Sequence, residues 1–254
     1  MKITFLGTGT SMGVPTAGGF GYGKPSSDPR DYRYRVSAYI ETEKANLLID
    51  IGPEFRLQTL RSGIKKIDLL LVTHEHTDHI CGLDDLRPFN YAQKSSIPVI
   101  TLERVEKIIK SRFSYMFEPN KTLGSVDIHF IKVDEFGTYT HNEIEITPFP
   151  VFHGNLPIWG FKINDLAYIT DASFIPDDSI KLIENCKILV INALRFSPDH
   201  PTHFTIPQAL EIVQRVNPYK TYFVHMNSQV KQAELQPDLP ENVFFAHDCL
   251  VLEL

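Results

Sequence analysis

Apolar residues recur along this chain in two rhythms. Short runs rich in Val, Ile, Leu and aromatic side chains, each closed by turn residues, alternate with stretches where apolar positions return every three or four residues. The first rhythm predicts strands over residues 2–6, 37–42, 46–50, 68–73 and 97–101, then 126–133, 143–149, 158–163, 167–170, 188–191 and 221–224. The second predicts helices over 54–61, 104–115, 178–184 and 206–216, the last opened by Thr205 as a cap with Pro207 in its first turn. Strands alternating with helices throughout predict an α/β protein. Neither repeats nor long Pro- or Ser-rich linkers interrupt the pattern, so residues 1–254 are expected to form a single domain. One stretch, 16–35, keeps neither rhythm; it is rich in Gly, Pro, Ser and Tyr and carries Arg30, Arg33 and Arg35. A loop of that length is usually functional or mobile.

Composition narrows the class. Hydrophobic content of 43% with 22% charged residues is that of a chain able to bury a sizeable core. A formal net charge of −6 leaves no broad basic surface, which excludes general nucleic-acid packaging and argues against stable nucleic-acid binding. No apolar run approaches the roughly 18 residues that span a bilayer, and the N-terminal strand runs into Gly7 and Gly9 rather than a signal-peptide core. A cytoplasmic protein is expected. Cys81, Cys186 and Cys249 are far apart and form no C-x-x-C pair, so neither a disulfide framework nor a four-cysteine zinc site can be read.

The chemistry concentrates directly after the 68–73 strand, in His74-Glu75-His76-Thr77-Asp78-His79. At this composition an H-x-H-x-D-H pattern arises by chance with a probability on the order of 10⁻³. Residues two apart in an extended segment face one side, so His74 and His76 can converge on one ion, while Asp78 and His79 can face a second as the chain turns. Imidazole and carboxylate ligands suit Zn²⁺ and also serve Mn²⁺ and Fe²⁺. A polar surface loop is the bland alternative, but it gives no reason for three histidines and an aspartate together. Further ligands must come from elsewhere. His153, Asp171 and His225 lie at the C-terminal ends of predicted strands, where α/β proteins tend to place their sites. Taken one at a time, each could equally close a turn or sit satisfied in the core.

His74-x-His76-x-Asp78-His79, followed in order by His153, Asp171 and His225, resembles the metallo-β-lactamase superfamily. Phe5-Leu6-Gly7-Thr8-Gly9-Thr10 and Leu48-Ile49-Asp50-Ile51-Gly52 are similar to its first strands, and the resemblance runs essentially end to end. It implies a four-layer αββα sandwich with metals at one edge. His74, His76 and His153 would hold one ion, Asp78, His79 and His225 the other, and Asp171 would bridge them. Asp50 would orient a ligand histidine, or only cap a turn. The superfamily's lactamases typically carry a cysteine where Asp171 stands, so lactam hydrolysis is not expected.

Within the superfamily the chain is most similar to the PhnP-like phosphodiesterases, which include enzymes acting on phosphoribosyl 1,2-cyclic phosphate. The similarity rests on Gly9-Thr10-Ser11-x-Gly13-Val14-Pro15, Asp28-Pro29-Arg30, Arg33-x-Arg35-x-Ser37 and Thr202-His203-Phe204-Thr205. It places His203 beside the metals as a general acid, with His200 as a rival for that role. Relatives often carry a zinc-binding cysteine cluster after the Gly-Val-Pro segment; residues 16–23 have none, so that zinc is not expected, and Tyr22, Tyr32 and Tyr34 or a partner subunit would order the loop instead. Arg33, Arg35 and Arg195 could grip a substrate phosphate or sit in structural pairs.

The expectation is a binuclear metal-dependent hydrolase, a phosphodiesterase acting on small phosphodiesters, cyclic ones included, through a metal-bridging hydroxide. Its cofactors would be two divalent ions (Zn²⁺ or Mn²⁺, or else Fe²⁺), with Asp78 and His203 as the catalytic residues. Homodimerisation, common in the superfamily, stays open. The rivals are a tRNA 3′-processing nuclease, a glyoxalase-like thioester hydrolase and a non-hydrolytic metal or redox protein. The acidic chain without a long basic arm disfavours the first, and the lack of an appended flavin-binding domain the last.

Overall fold

The computed structural model describes residues 1–20, 26–118 and 124–253. Along the chain its strands are β1 (Lys2–Gly7), β2 (Ser37–Glu41), β3 (Asn46–Ile49), β4 (Leu69–Leu71), β5 (Ile97–Ile100), β6 (Ile128–Ile131) and β7 (Tyr139–His141). There follow β8 (Ile144–His153), β9 (Leu156–Ile163), β10 (Leu166–Tyr168), β11 (Ile188–Asn192), β12 (Lys220–Val224), β13 (Val243–Phe245) and β14 (Val251–Glu253). The helices are α1 (Phe55–Ser62), α2 (Thr77–Ile80), α3 (Arg87–Gln93), α4 (Glu103–Arg112), α5 (Asp177–Ile183), α6 (Ile206–Val216) and α7 (Gln232–Leu235). The strands form two sheets, ordered β14-β1-β2-β3-β4-β5-β6 and β13-β12-β11-β10-β9-β8-β7.

Three apolar layers separate four layers of structure. Ile3, Phe5, Leu47 and Ile49 of the first sheet pack against Trp159, Phe161, Tyr168 and Val190 of the second. On the outer face of the first sheet, Leu48 and Leu70 meet Phe55 of α1 and Val105 and Ile109 of α4. On the outer face of the second, Leu189 and Phe223 meet Ile180 of α5 and Ile212 of α6. Alternate residues of one strand thus serve opposite layers, the signature of a sheet buried on both faces. The architecture is the αββα sandwich. No helix among the described residues is long and apolar enough to cross a membrane.

Helix α6 begins as read, with Thr205 and Gln208 forming a capping box and Pro207 in the first turn. Other expectations need correction. The strand predicted to stop at residue 149 runs on as β8 to His153, through Pro148 and Pro150. β7 pairs with β8 only at Ile144–Ile146, so among the described residues no strand lies beside Pro148 and Pro150 on the side away from β9, and proline's missing N–H costs no ladder bond there. Predicted helix 104–115 ends at Arg112, with a separate 3₁₀ turn at Ser114–Met116. The short α2 and α3 and the C-terminal strands β13 and β14 escaped the periodicity altogether, being too brief to show one.

Of the tyrosines expected to order the 16–35 stretch, Tyr34 packs beneath Arg61 at 6.0 Å. Tyr22 lies outside the described residues, and Tyr32 is 49% exposed. The anchors are Asp31 and Arg33, both buried. Asp31 accepts from the Gln232 backbone N–H at 2.9 Å and from Arg33 Nη2 at 3.2 Å. Arg33 Nη1 donates to the Ala246 carbonyl at 3.0 Å. Arg33 is therefore a structural cation, and the reading of it as a phosphate contact is overturned.

Candidate metal centre

Strand ends from both sheets converge on one edge. Asp50 follows β3, the 74–79 motif follows β4, His153 ends β8, Asp171 follows β10 and His225 follows β12. Asp50, Asp171 and His225 have left-handed φ values of 58°, 57° and 57°. Non-glycine residues hold that conformation only when their surroundings over-determine it, and such positions cluster at functional sites. Here each one breaks its strand where the side chain enters the site.

All seven expected ligand residues are brought together. The ligand atoms of His74, His76 and His153 lie within 4.8 Å of one another, and so do those of Asp78, His79, Asp171 and His225. Asp171 stands between the groups: its carboxylate oxygens are 3.9 Å from His74 Nε2, 3.5 Å from His79 Nε2 and 3.2 Å from His225 Nε2. His74 and His76 come from the extended part of the motif, as expected. Asp78 and His79 are presented by the single helical turn α2.

Hydrogen bonds set the ring tautomers. His79 Nδ1 lies 2.7 Å from Asp50 Oδ2, and Asp50 in turn accepts from the Thr73 backbone N–H at 2.8 Å. Asp50 thus orients His79, and of the two roles left open for it the cap is the wrong one. His153 Nδ1 lies 2.7 Å from the Thr202 carbonyl, which can only accept, so the proton is on Nδ1 and the Nε2 lone pair is free.

The electrostatics belong to a cation site. Burial opposes ionisation of Asp171, yet His225 and His79 hold it well below the usual carboxylate range. Asp78 is likewise lowered, against its burial, by His79 and His225. Burial works against charge on His79 too, but Asp78, Asp171 and Asp50 outweigh it and raise the ring well above its ordinary value. His225 is raised to about 9, again against burial, chiefly by Asp171. His74, with less carboxylate around it, is driven well down by burial.

Buried polar atoms are normally paired. Here Asp78 Oδ2, His79 Nε2 and His225 Nε2 are buried and make no aligned hydrogen bond, with Asp78 Oδ2 3.2 Å from the first nitrogen and 3.9 Å from the second. A divalent ion would satisfy all three at once. Imidazole nitrogen and carboxylate oxygen are the donors that such an ion takes, so the residues present fit divalent-metal binding.

His203 lies in the loop before α6, its Nε2 3.3 Å from Asp171 Oδ2 and its ring stacked on His225 at 4.8 Å between centroids. His200 sits one ring further out, Nδ1 to Nδ1 at 3.0 Å. Burial pushes His203 down to about 4, against its hydrogen bond to Asp171. Sequence reasoning missed the support behind the motif. Arg104 of α4 pairs with both carboxylate oxygens of Glu75, at 3.0 and 2.9 Å, and Arg112 Nη1 reaches the Glu75 carbonyl at 3.0 Å. Partners 29 and 37 residues away leave no local signal. Arg35, the second arginine considered for phosphate, is spent on Glu54 and on the Ser11 carbonyl.

Residues 45–226 match the model of the Beta-lactamase superfamily domain. A solved diphosphatase from the PhnP family superposes with a TM-score of 0.90 at 38% sequence identity, over 100% of this chain and 97% of that one. An octanoyltransferase of Porphyromonas gingivalis is 34% identical over 98% of this chain but only 51% of its own length. A ribonuclease Z of Staphylococcus epidermidis is 26% identical over 64% of this chain and 49% of its own. The chain thus spans about half the length of these curated relatives. With the αββα fold and the His/Asp centre in place, these matches show that the chain belongs to the β-lactamase superfamily, on its PhnP-like side.

Proposed function

We propose that this hydrolase is a binuclear phosphohydrolase that cleaves a P–O bond in a small phosphodiester or diphosphate. The observation that carries the reading is the pair of ligand groups sharing Asp171. His74, His76 and His153 would hold one ion and Asp78, His79 and His225 the other, with Asp171 between them. When bound, two such ions supply Lewis acidity and make water acidic enough to act near neutral pH. The likeness to a diphosphatase at 38% identity supports phosphorus as the centre attacked.

The chain's own residues do the rest. Asp50 and the Thr202 carbonyl hold His79 and His153 in the tautomers that leave Nε2 free. Asp78, kept ionised, is a carboxylate that would serve the centre as a ligand and accept a hydrogen bond from the attacking water. His203 faces the same centre through Nε2 and is the proton donor to the leaving oxygen; an anionic phosphoryl group against the ring favours its protonated form. The nuclease relatives, a ribonuclease Z and an exodeoxyribonuclease among them, favour a second reading, cleavage of a nucleic acid, which the net charge of −6 opposes.

Metal analysis combined with hydrolysis of bis-p-nitrophenyl phosphate tests the proposal. Close to two ions per chain and chelator-sensitive turnover restored by Zn²⁺ or Mn²⁺ are expected. His203→Ala should keep its metal and lose roughly 10² to 10⁴ in kcat, whereas Asp171→Ala should lose metal and activity together. One ion per chain, or full activity in His203→Ala, would overturn the corresponding part. Turnover of a precursor tRNA without turnover of the small diester would move the assignment to the nuclease reading.

A further inference from the structure

The two ligand groups that share Asp171 are built differently. Asp78, His79, Asp171 and His225 are all buried, and two of the four are carboxylates. His74, His76 and His153 are all imidazoles, and His76 is exposed. They contribute no carboxylate of their own, and Asp171 Oδ2 lies 3.9 Å from His74 Nε2.

The polar atoms of the two groups also differ in what they lack. In the first, Asp78 Oδ2, His79 Nε2 and His225 Nε2 are buried without a hydrogen-bond partner. In the second, among the described residues, no buried ring nitrogen is left over. His74 Nε2 lies 3.0 Å from His76 Nδ1, His74 Nδ1 lies 3.0 Å from Thr73 Oγ1, and His153 Nδ1 lies 2.7 Å from the Thr202 carbonyl. The supports divide in the same way. Asp50 fixes His79 at 2.7 Å, and the Thr170 hydroxyl donates to Asp171 Oδ1 at 2.6 Å. His76 Nδ1 leans only on His74, which is itself a ligand of the same group.

These differences act in one direction. A divalent ion in the buried group is neutralised by two carboxylates that are already in place, and it satisfies three atoms that otherwise stay unpaired at a cost. An ion in the histidine group meets three neutral rings, displaces the contact between His74 and His76, and must order an exposed side chain.

We propose that the centre loads in order: the Asp78, His79, Asp171 and His225 group holds its ion tightly, and the His74, His76 and His153 group holds an exchangeable one, so that the free metal concentration switches the hydrolase on and off. This rests on the binuclear reading above, and deepens it by assigning regulation to one half of the centre. The two affinities should differ at least about tenfold.

Stepwise withdrawal of Zn²⁺ from the loaded protein with a chromogenic chelator tests the order without turnover. One ion per chain should leave at a chelator strength that retains the other. In ¹⁵N-histidine spectra the His76 ring should change as the first ion leaves, and the His79 and His225 rings only as the second does. His76→Ala, at an exposed position, should lose the weak ion and keep the tight one, whereas Asp78→Asn should weaken the tight one about tenfold or more. Release of both ions in one step of equal affinity, a His79 signal that changes with the first ion, or loss of the tight ion in His76→Ala would overturn the proposal. A loaded protein that saturates at one ion per chain would instead count against the binuclear reading, and the ring that reports that ion, His79 or His76, would still judge which group is the tight one.

Discussion

Replacing Asp50 by Asn alters one atom and sets two buried partners against each other. Asp50 is fully buried; Oδ1 accepts from the Thr73 N–H at 2.8 Å, and Oδ2 lies 2.9 Å from Thr73 Oγ1 and 2.7 Å from His79 Nδ1. An amide has a single acceptor oxygen. If that oxygen stays on the Thr73 N–H, the new NH₂ group faces His79 Nδ1, and the ring must move its proton to Nε2, the atom that faces Asp78 and Asp171. A protonated Nε2 has no lone pair for a metal ion. If the amide flips, two donors meet at Thr73, and a buried unsatisfied donor costs about 1–3 kcal/mol. The imidazole can shift its proton and the backbone N–H cannot, so the first arrangement should prevail. Metal affinity should fall about 10- to 100-fold, or about 1.4–2.7 kcal/mol. Competition with a chromogenic chelator for Zn²⁺ measures this directly. Two ions bound by Asp50→Asn at wild-type affinity would refute the argument that Asp50 sets the tautomer of His79.

Other consequences are as direct. The Tyr168 hydroxyl is buried without a hydrogen-bond partner, so Tyr168→Phe should leave the urea midpoint unchanged or raise it; a loss above about 1 kcal/mol would mean the hydroxyl is satisfied after all. Arg104→Ala removes the two-point contact to Glu75 from a half-exposed site. It should cost about 1–2 kcal/mol in chemical denaturation and weaken metal binding, with Lys a poor substitute. Asp248 is raised by burial to about 6, despite bonds from the Tyr34 N–H and the Thr8 hydroxyl. Its folded pKa exceeds the ordinary value of 3.8, so its contribution to stability is fully present below about pH 4 and is lost as pH rises through 6. Relative to Asp248→Asn, the wild type should therefore lose up to about 3 kcal/mol between pH 4 and 7, and a flat difference curve over that window would contradict the burial argument.

The sequence by itself determined what repeats locally or sits at a strand end. Periods of two and of three to four residues located the longer strands and helices, because side-chain direction in a regular backbone depends only on spacing. The 74–79 motif was legible for the same reason: its ligands lie within one turn of chain. His153, Asp171 and His225 could be nominated from their strand-end positions, and the family resemblance supplied the order that joins them.

Only the tertiary structure decided which distant groups meet. Asp50 could have capped a turn; the sheet order that sets β3 beside β4 puts it against His79, 29 residues on. The family resemblance put His203 ahead of His200 without excluding the latter, and the fold brings His203 onto Asp171 and His225. Arg33 and Arg195 are alike in sequence. One is drawn inside by Asp31 and the Ala246 carbonyl, 213 residues away, and the other keeps to the Pro198 carbonyl within its own loop. Local rules describe a residue's direction from its own element, but charge pairing and burial depend on which elements the sheets bring side by side, and that is a property of the whole fold.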